Sequence, residues 1–252
     1  MLKIIGMSLE ELLKLAPDSI NWKLAKEEFI YIAKALGAFW QYSYEAAKKG
    51  KAGLHALLKS GLHSDGFFYS KLLLEPANIR QIMARQLVML FNELGIAKPG
   101  WIVGIPDGAT ELGKEVAVLL NVRYAEMKKI DGRIVLESSI ATDETILLIE
   151  DFCARGTGLT EAVIEILFKQ PKAKIIPYAL YILNRGGLSE IEIPVEKTDG
   201  KKIVIKVVPV VDHKINNWEA TVCPLCKEFS SEAIKPKATD ENWQKITTSQ
   251  LV

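Results

Sequence analysis

Two adjacent carboxylates, Glu150 and Asp151, close a markedly apolar run, 145-TILLIED-151, and a glycine-bearing turn, 152-FCARGTG-158, follows them. Glycine lets successive backbone N–H groups turn toward one point, and such a nest binds anions. The periodic stretch that begins near Leu159 reads as a helix. Its N-terminal dipole points into the same turn, where Thr157 and Thr160 add hydroxyl donors. Together these make a phosphate cradle. The acids just upstream would repel a bare phosphate, but they suit the hydroxyls of a sugar, or Mg²⁺ with its preference for oxygen. A ligand that combines ribose, phosphate and metal-bound pyrophosphate fits every part. The plainer reading is that the acids cap a helix and the glycines only turn the chain. It is outweighed by the order in which strand, acid pair, glycine loop and helix occur.

The elements that hold this turn follow a recognisable rhythm. WIVGIP from residue 101 is a short apolar strand and TELGKEVAVLLN a helix; VRYAEM and TILLIED are further strands, and GLTEAVIEILFKQ is a second helix. IIPYALYIL and KKIVIKVVPVVD complete five strands. Strands alternating with helices predict an α/β fold, a mostly parallel sheet covered on both faces, with ligands at the carboxyl ends of its strands. The loops 104-GIPDGAT-110 and 152-FCARGTG-158 both fall there. Upstream, 8–16 reads as a helix capped by Ser8 and Glu11, 24–37 and 39–50 as helices, 54–74 as strand-turn-strand, and 77–94 as a long helix. With no repeat or low-complexity linker, one domain over 1–252 is expected, with N-terminal helices and hood to 96, core sheet 97–213 and a tail from 214.

Composition narrows the class. The 252 residues are 49% hydrophobic with net charge +1, so nothing global favours nucleic acid or an anionic membrane. No apolar run reaches spanning length and the first residues lack a signal-peptide layout, so a cytoplasmic protein is expected. Three cysteines give no disulfide framework. Cys223-Pro-Leu-Cys226 is half of a zinc site, and completing it would take Cys153, His213 or a second chain. A surface turn carrying two thiols is the preferred reading.

The segment from 145 resembles the PRPP signature of type I phosphoribosyltransferases: an apolar strand, two acids, then glycine with threonine. The resemblance implies that Glu150 and Asp151 hold the ribose of 5-phosphoribosyl 1-diphosphate (PRPP). Ala154, Arg155, Gly156, Thr157 and Gly158 would hold its 5′-phosphate, with Ala154 standing where a threonine is usual. The segment 57-LLKSGLHSDGFFYSKLLL-74 resembles the N-terminal segment of orotate phosphoribosyltransferases. It implies Lys59, Phe67 and Phe68, together with Thr160, at the base, and Lys71 at the anionic end of PRPP. Phe67 and Phe68 must face opposite ways in a strand, so one of them is core. The loop 103–113 takes the place of the pyrophosphate loop, through Pro106, Asp107 and Gly108. Mg²⁺ would arrive with PRPP, with no direct protein ligand, water-bridged to Asp107 or Asp151. The likeness spans about residues 24–38 and 54–213.

One departure concerns the cationic loop that this family closes over the neighbouring subunit's site. Here 123-RYAEMKKIDGRIVLES-138 has Ala125 and Glu126 where an Arg-Lys pair is usual and Asp131 where a histidine is usual; Lys128 and Lys129 remain. Lys129 takes the catalytic position beside Asp151. The implied protein is a homodimer with shared sites that transfers phosphoribose from PRPP to orotate. The alternatives are a phosphoribosyltransferase for another base and a non-catalytic PRPP- or nucleotide-sensing regulator.

Overall fold

In the computed structural model, which describes residues 4–194 and 202–251, the first helix is α1 (Leu9–Leu13). The Ser8 side chain accepts from the Glu11 amide while the Glu11 carboxylate accepts from the Ser8 amide, the reciprocal cap expected from the sequence. After α2 (Lys26–Ala35) the expected helix over 39–50 does not form. Phe39–Gln41 is a strand, β1, and only Tyr44–Lys48, α3, is helical. Adjacent aromatics lose side-chain freedom in a helix and pack well on a pleated surface, which decides the contest. Then come β2 (Leu54–Leu57), β3 (His63–Ser64) and β4 (Gly66–Phe68). β1 pairs with β4, and Phe39 stacks on Phe68 with ring centroids 4.0 Å apart. The strand-turn-strand expected to 74 stops early, because Ser70–Leu74 is helix α4.

The next elements are α5 (Ala77–Glu93), β5 (Trp101–Gly104), α6 (Thr110–Leu120), β6 (Arg123–Tyr124), β7 (Met127–Ile130) and β8 (Arg133–Leu136). They are followed by β9 (Thr145–Cys153), α7 (Thr157–Lys169), β10 (Lys174–Asn184), β11 (Glu190–Pro194) and β12 (Lys202–Asp212). Six strands form one sheet in the order β11-β12-β10-β9-β5-β6. All neighbours are parallel except the added edge strand β11, which runs antiparallel to β12. Lys201, the first residue of the expected fifth strand, lies outside the described residues. Ile146, Leu147, Leu148 and Ile149 of β9 are all fully buried, as a central strand covered on both faces requires. The expected strand VRYAEM ends at Tyr124, and the basic loop beyond it is a hairpin of β7 and β8. Asp131 and Gly132, both at positive φ, make its two-residue turn.

Beyond these, the described residues form β13 (Asn217–Trp218), a 3-10 turn (Ala220–Val222), α8 (Pro224–Phe229), β14 (Glu232–Ile234) and α9 (Asp240–Thr248). Contacts divide the described residues into two compact units, those up to 32 with 70–214, and 33–69 with those from 215 on. Residue 96 lies inside the first unit, where α5 packs on α6, β10 and β12, and residue 213 lies one position before that unit ends. The second unit has its own sheet, β13-β3-β2-β14, and a core that includes Trp40, Tyr42, Ala56, Leu225 and Ile246.

The C-terminal segment is built into the second unit: β14 pairs with β2, and Trp243 Nε1 donates to the Gly37 carbonyl at 2.9 Å. One expectation for it is corrected: Cys223–Cys226 is not a surface turn. Cys223 is fully buried, and the histidines beside the pair are His55 and His63, while His213 and Cys153 belong to the first unit.

Candidate active site

β9 carries the acid pair out of the core to its carboxyl end, with Glu150 in register with Tyr181 of β10. Alternation along the strand sends the two carboxylates to opposite faces of the sheet. Glu150 lies against Gly158 in the first turn of α7, where a Cβ would stand 2.5 Å from its Oε1. Asp151 lies against Gly108, between β5 and α6, where a Cβ would collide with its carboxylate. Each glycine loop therefore closes on one acid, and only glycine leaves the room. The peptide between Pro106 and Asp107 is cis.

The turn 154–157 delivers the chain into α7 through Gly156, at φ +72°, with Arg155 and Thr157 exposed. The first amides of a helix have no intrahelical partner, so those of Thr157, Gly158 and Leu159 are available to an anion. The Thr160 hydroxyl donates instead to the Gly156 carbonyl at 2.9 Å.

Glu150 is half-buried as a residue, but its Oε2 is sealed from solvent without a hydrogen-bond partner. Burial, reinforced by the Asp151 charge, pushes its pKa up to about 8, while the Lys129 ammonium of the β7–β8 hairpin works in the opposite direction. Lys129 is thus close enough to act on Glu150 of its own chain. Burial and the Glu150 charge likewise push the Cys153 thiol up to about 12 and raise the Tyr181 phenol. The Tyr181 hydroxyl lies near both groups without reaching good hydrogen-bond geometry. Asp151 accepts from its neighbour, the Phe152 amide, at 2.7 Å.

Arg185 escaped the sequence reading. Burial lowers its guanidinium pKa, and the nearby Asp151 charge opposes that shift. It begins the loop after β10, which is tied to the phosphate turn by the Arg185 and Gly186 amides donating to the Cys153 carbonyl at 2.9 and 3.1 Å.

The remaining assigned residues are less concentrated. Lys128 is exposed and paired with Glu137 at 2.6 Å. Ala125 is fully buried in the core, so a cation could not stand there without rebuilding it. Asp131 holds the hairpin turn. Lys71 is an exposed residue of α4 in the first unit. Lys59, Phe67 and Phe68 belong to the second unit, Lys59 exposed in the turn between β2 and β3. Phe68 is core, as alternation requires of one of the pair. Phe67 is half-buried beside Trp243, with ring centroids 5.8 Å apart, and the Lys237 ammonium lies 5.6 Å from its ring.

Comparison with known proteins adds to this geometry. No family model matches the chain. It is 26% identical over 186 residues to an orotate phosphoribosyltransferase of Wolinella succinogenes, covering 72% of this chain and 88% of that protein. It is 27% identical over 194 residues to one of Nitratiruptor sp., covering 72% and 90%. Among solved structures it resembles orotate phosphoribosyltransferase from Aeropyrum pernix (TM-score 0.52, 16% identity, 73% of this chain and 93% of that one). It also resembles Leishmania donovani UMP synthase (TM-score 0.54, 15% identity, 91% of this chain and 43% of that one). These last two establish the fold. In sequence the chain is thus similar to orotate phosphoribosyltransferases over about 72% of its length, and its fold is that of the solved phosphoribosyltransferase structure it resembles.

Proposed function

We propose that the protein is an orotate phosphoribosyltransferase, transferring the phosphoribosyl group of PRPP to orotate to give orotidine 5′-phosphate and pyrophosphate. The observation that carries this reading is the acid pair held between two glycine loops, one against Gly108 and the other against Gly158, at the carboxyl ends of parallel strands. In this reading Glu150 and Asp151 engage the ribose hydroxyls. Residues 154–158 and the first amides of α7 hold the 5′-phosphate, and Pro106, Asp107 and Gly108 with Lys71 face the pyrophosphate. Arg185 steadies Asp151. Of the residues assigned to the base, Phe67 and Lys59 keep that role, whereas Phe68 is core of its own unit and the Thr160 hydroxyl is taken by the Gly156 carbonyl.

The bond from the anomeric carbon to pyrophosphate breaks with its electron pair leaving on oxygen, and a ring nitrogen of orotate forms the new bond, its N–H proton passing to solvent. The oxocarbenium-like state between needs position and charge more than proton transfer, which suits a site whose acids are built in rather than mobile. Lys129 supplies positive charge as the pyrophosphate departs. The exposed Asp107 and the Asp151 carboxylate offer the oxygen atoms that suit Mg²⁺, reached through water. Entering with PRPP, Mg²⁺ would offset the charge of the pyrophosphate.

We further take the protein to be cytoplasmic, in keeping with its free cysteines, and a homodimer. Val118, 78% exposed on α6, and Leu119 beside it offer an apolar edge for a second copy. Mixing Lys129→Ala with Asp151→Asn chains tests shared sites: partial activity in verified heterodimers means that Lys129 serves the partner's site, and no recovery means that it serves Glu150 of its own chain.

The sensing alternative draws support from the Lys128–Glu137 pair, which leaves the hairpin less free charge for a leaving pyrophosphate. One experiment separates the two: pyrophosphate release from PRPP and Mg²⁺ with orotate and with each other nucleobase. An orotate-dependent rate that falls about tenfold to a thousandfold in Lys129→Ala, with PRPP affinity little changed, is expected. PRPP binding with no release on any base would leave the sensor.

A further inference from the structure

The second unit brings together four side chains that no step of phosphoribosyl transfer uses. His55 of β2, His63 of β3, and Cys223 and Cys226 around the start of α8 point their ligating atoms inward, all within 4.8 Å of one another. Cys226 Sγ stands 3.5 Å from His55 Nε2 and 3.3 Å from His63 Nδ1. Cys223 Sγ stands 3.7 Å from His55 Nε2, and the two ring nitrogens are 2.8 Å apart. A tetrahedral zinc ion with ordinary Zn–S and Zn–N bonds sets neighbouring sulfur and nitrogen about 3.5 Å apart and two nitrogens about 3.3 Å apart. The sulfur–nitrogen distances already bracket that geometry, and the nitrogens would part by roughly half an ångström to admit the ion.

We infer that His55, His63, Cys223 and Cys226 form a structural Cys₂His₂ zinc site within a single chain. The protonation pattern around His55 supports it. Ser231 Oγ donates to the Gly53 carbonyl at 3.0 Å, so its hydroxyl proton is already committed. At 3.0 Å from His55 Nδ1 it must then accept from that nitrogen, which places the proton on Nδ1 and leaves the Nε2 lone pair facing the cluster. This is the orientation that an outer partner gives a metal-bound histidine. Two thiolates with two imidazoles suit zinc over Mg²⁺, which takes oxygen. Four protein ligands leave no position for water or substrate, so the ion holds structure and performs no reaction.

The need for such a staple follows from size and connectivity. The second unit is made from two stretches, 33–69 and those from 215 on, separated in the chain by the whole first unit. A unit of roughly 75 residues is in the range where a hydrophobic core alone supplies little stability. Zinc would join the β2–β3 hairpin from one stretch to α8 from the other. Cys223 and His55, both fully buried, set the ligands against the core of that unit.

The test uses the full-length protein. Metal analysis of protein reconstituted with zinc and freed of excess should find one zinc per chain, and the ion should be retained in Asp151→Asn, because the site is separate from the acid pair. Cys226→Ser and His63→Gln should lose it, while His213→Gln, which changes the remaining histidine, should keep it. Stripping the ion from the unmutated protein with a chelator should lower its melting temperature by on the order of 10 °C. Zinc, and not Mg²⁺, should restore it. Cobalt(II) in place of zinc should show thiolate-to-metal charge transfer with tetrahedral d–d bands, a readout that does not depend on any variant folding. Reconstituted wild-type protein that holds no zinc, or zinc that His213→Gln loses and His63→Gln retains, would overturn the assignment.

Discussion

Replacing Gly108 by alanine perturbs the acid pair without altering an acid. Gly108 is not among the glycines at positive φ, so its backbone accepts a side chain. The added methyl nevertheless lands on the Asp151 carboxylate, colliding with Oδ2 and reaching Oδ1 at 3.1 Å. Asp151 cannot simply lean away, since Oδ1 accepts from the Phe152 amide at 2.7 Å and the Arg185 charge stands nearby. Either the carboxylate turns off its position or the turn 106–108 shifts. If Asp151 holds a ribose hydroxyl as an ionised acceptor, losing that bond costs about 1.5–3 kcal/mol, a tenfold to hundredfold loss of PRPP affinity. Folding stability should change little, because Gly108 is exposed. The decisive comparison is a double-mutant cycle with Asp151→Ala. Once the carboxylate is gone the methyl has room, so the double variant should bind PRPP no worse than Asp151→Ala alone. Calorimetric titration of PRPP with Mg²⁺ into all four proteins, with melting curves alongside, measures each corner. A Gly108→Ala protein within about twofold of wild type, or single losses that add in the double variant, would refute contact through Asp151 as the cause.

Two further outcomes rest on the same loops. Glu150 has a folded pKa of about 8 against an ordinary 4.5, so the folded protein keeps a proton that the unfolded chain gives up. That contribution is complete below the ordinary value and is lost progressively until pH passes the folded one, so wild type should lose stability relative to Glu150→Gln between about pH 4.5 and 8 and no further above that; parallel melting-temperature profiles would reject the shift. Gly156→Ala puts a Cβ at φ +72° and into the Ile191 side chain, 2.8 Å from its Cγ1. It should cost about 1–3 kcal/mol, seen as a lower urea midpoint at unchanged slope, and an unmoved midpoint would show that the loop and Ile191 give way freely.

What could be read from the sequence was what depends on near neighbours. β9, its acids, the glycine turn and α7 are contiguous, so the change from an apolar run to a helical period sufficed. The β7–β8 hairpin was equally local, and its Asp131-Gly132 turn is a strong two-residue signal, masked by the expectation of a basic loop. Other features depend on pairing across the fold. Tyr181 meets Glu150 only through the register of β10 on β9, and Arg185 reaches the Asp151 neighbourhood from the end of that same strand. The zinc ligands are the extreme case. Closeness in sequence selects His213 for the cysteines, whereas the β2–β3 hairpin brings His55 and His63, more than 150 positions away, with Cys226 Sγ 3.3 Å from His63.

The two like charges at the end of an apolar strand are reconciled by strand alternation and by what each face supplies. Glu150 turns toward Gly158, Tyr181 and Cys153, where burial makes its charged form costly and its pKa rises. Asp151 turns the other way, toward Gly108 and the Arg185 charge. Neighbouring carboxylates that shared one face would repel at full strength; here one is biased toward its neutral form while the other has a cation nearby. The strand can thus end on two acids without a bound ion to neutralise them. A ligand bearing adjacent hydroxyls and a metal-bound pyrophosphate would meet one acid poised between donor and acceptor and one opposed by a guanidinium. Under the proposed function such unequal acids would distinguish the hydroxyls of a bound sugar by position, which gives a parallel sheet a reason to carry its charges to this edge and then loosen into glycine.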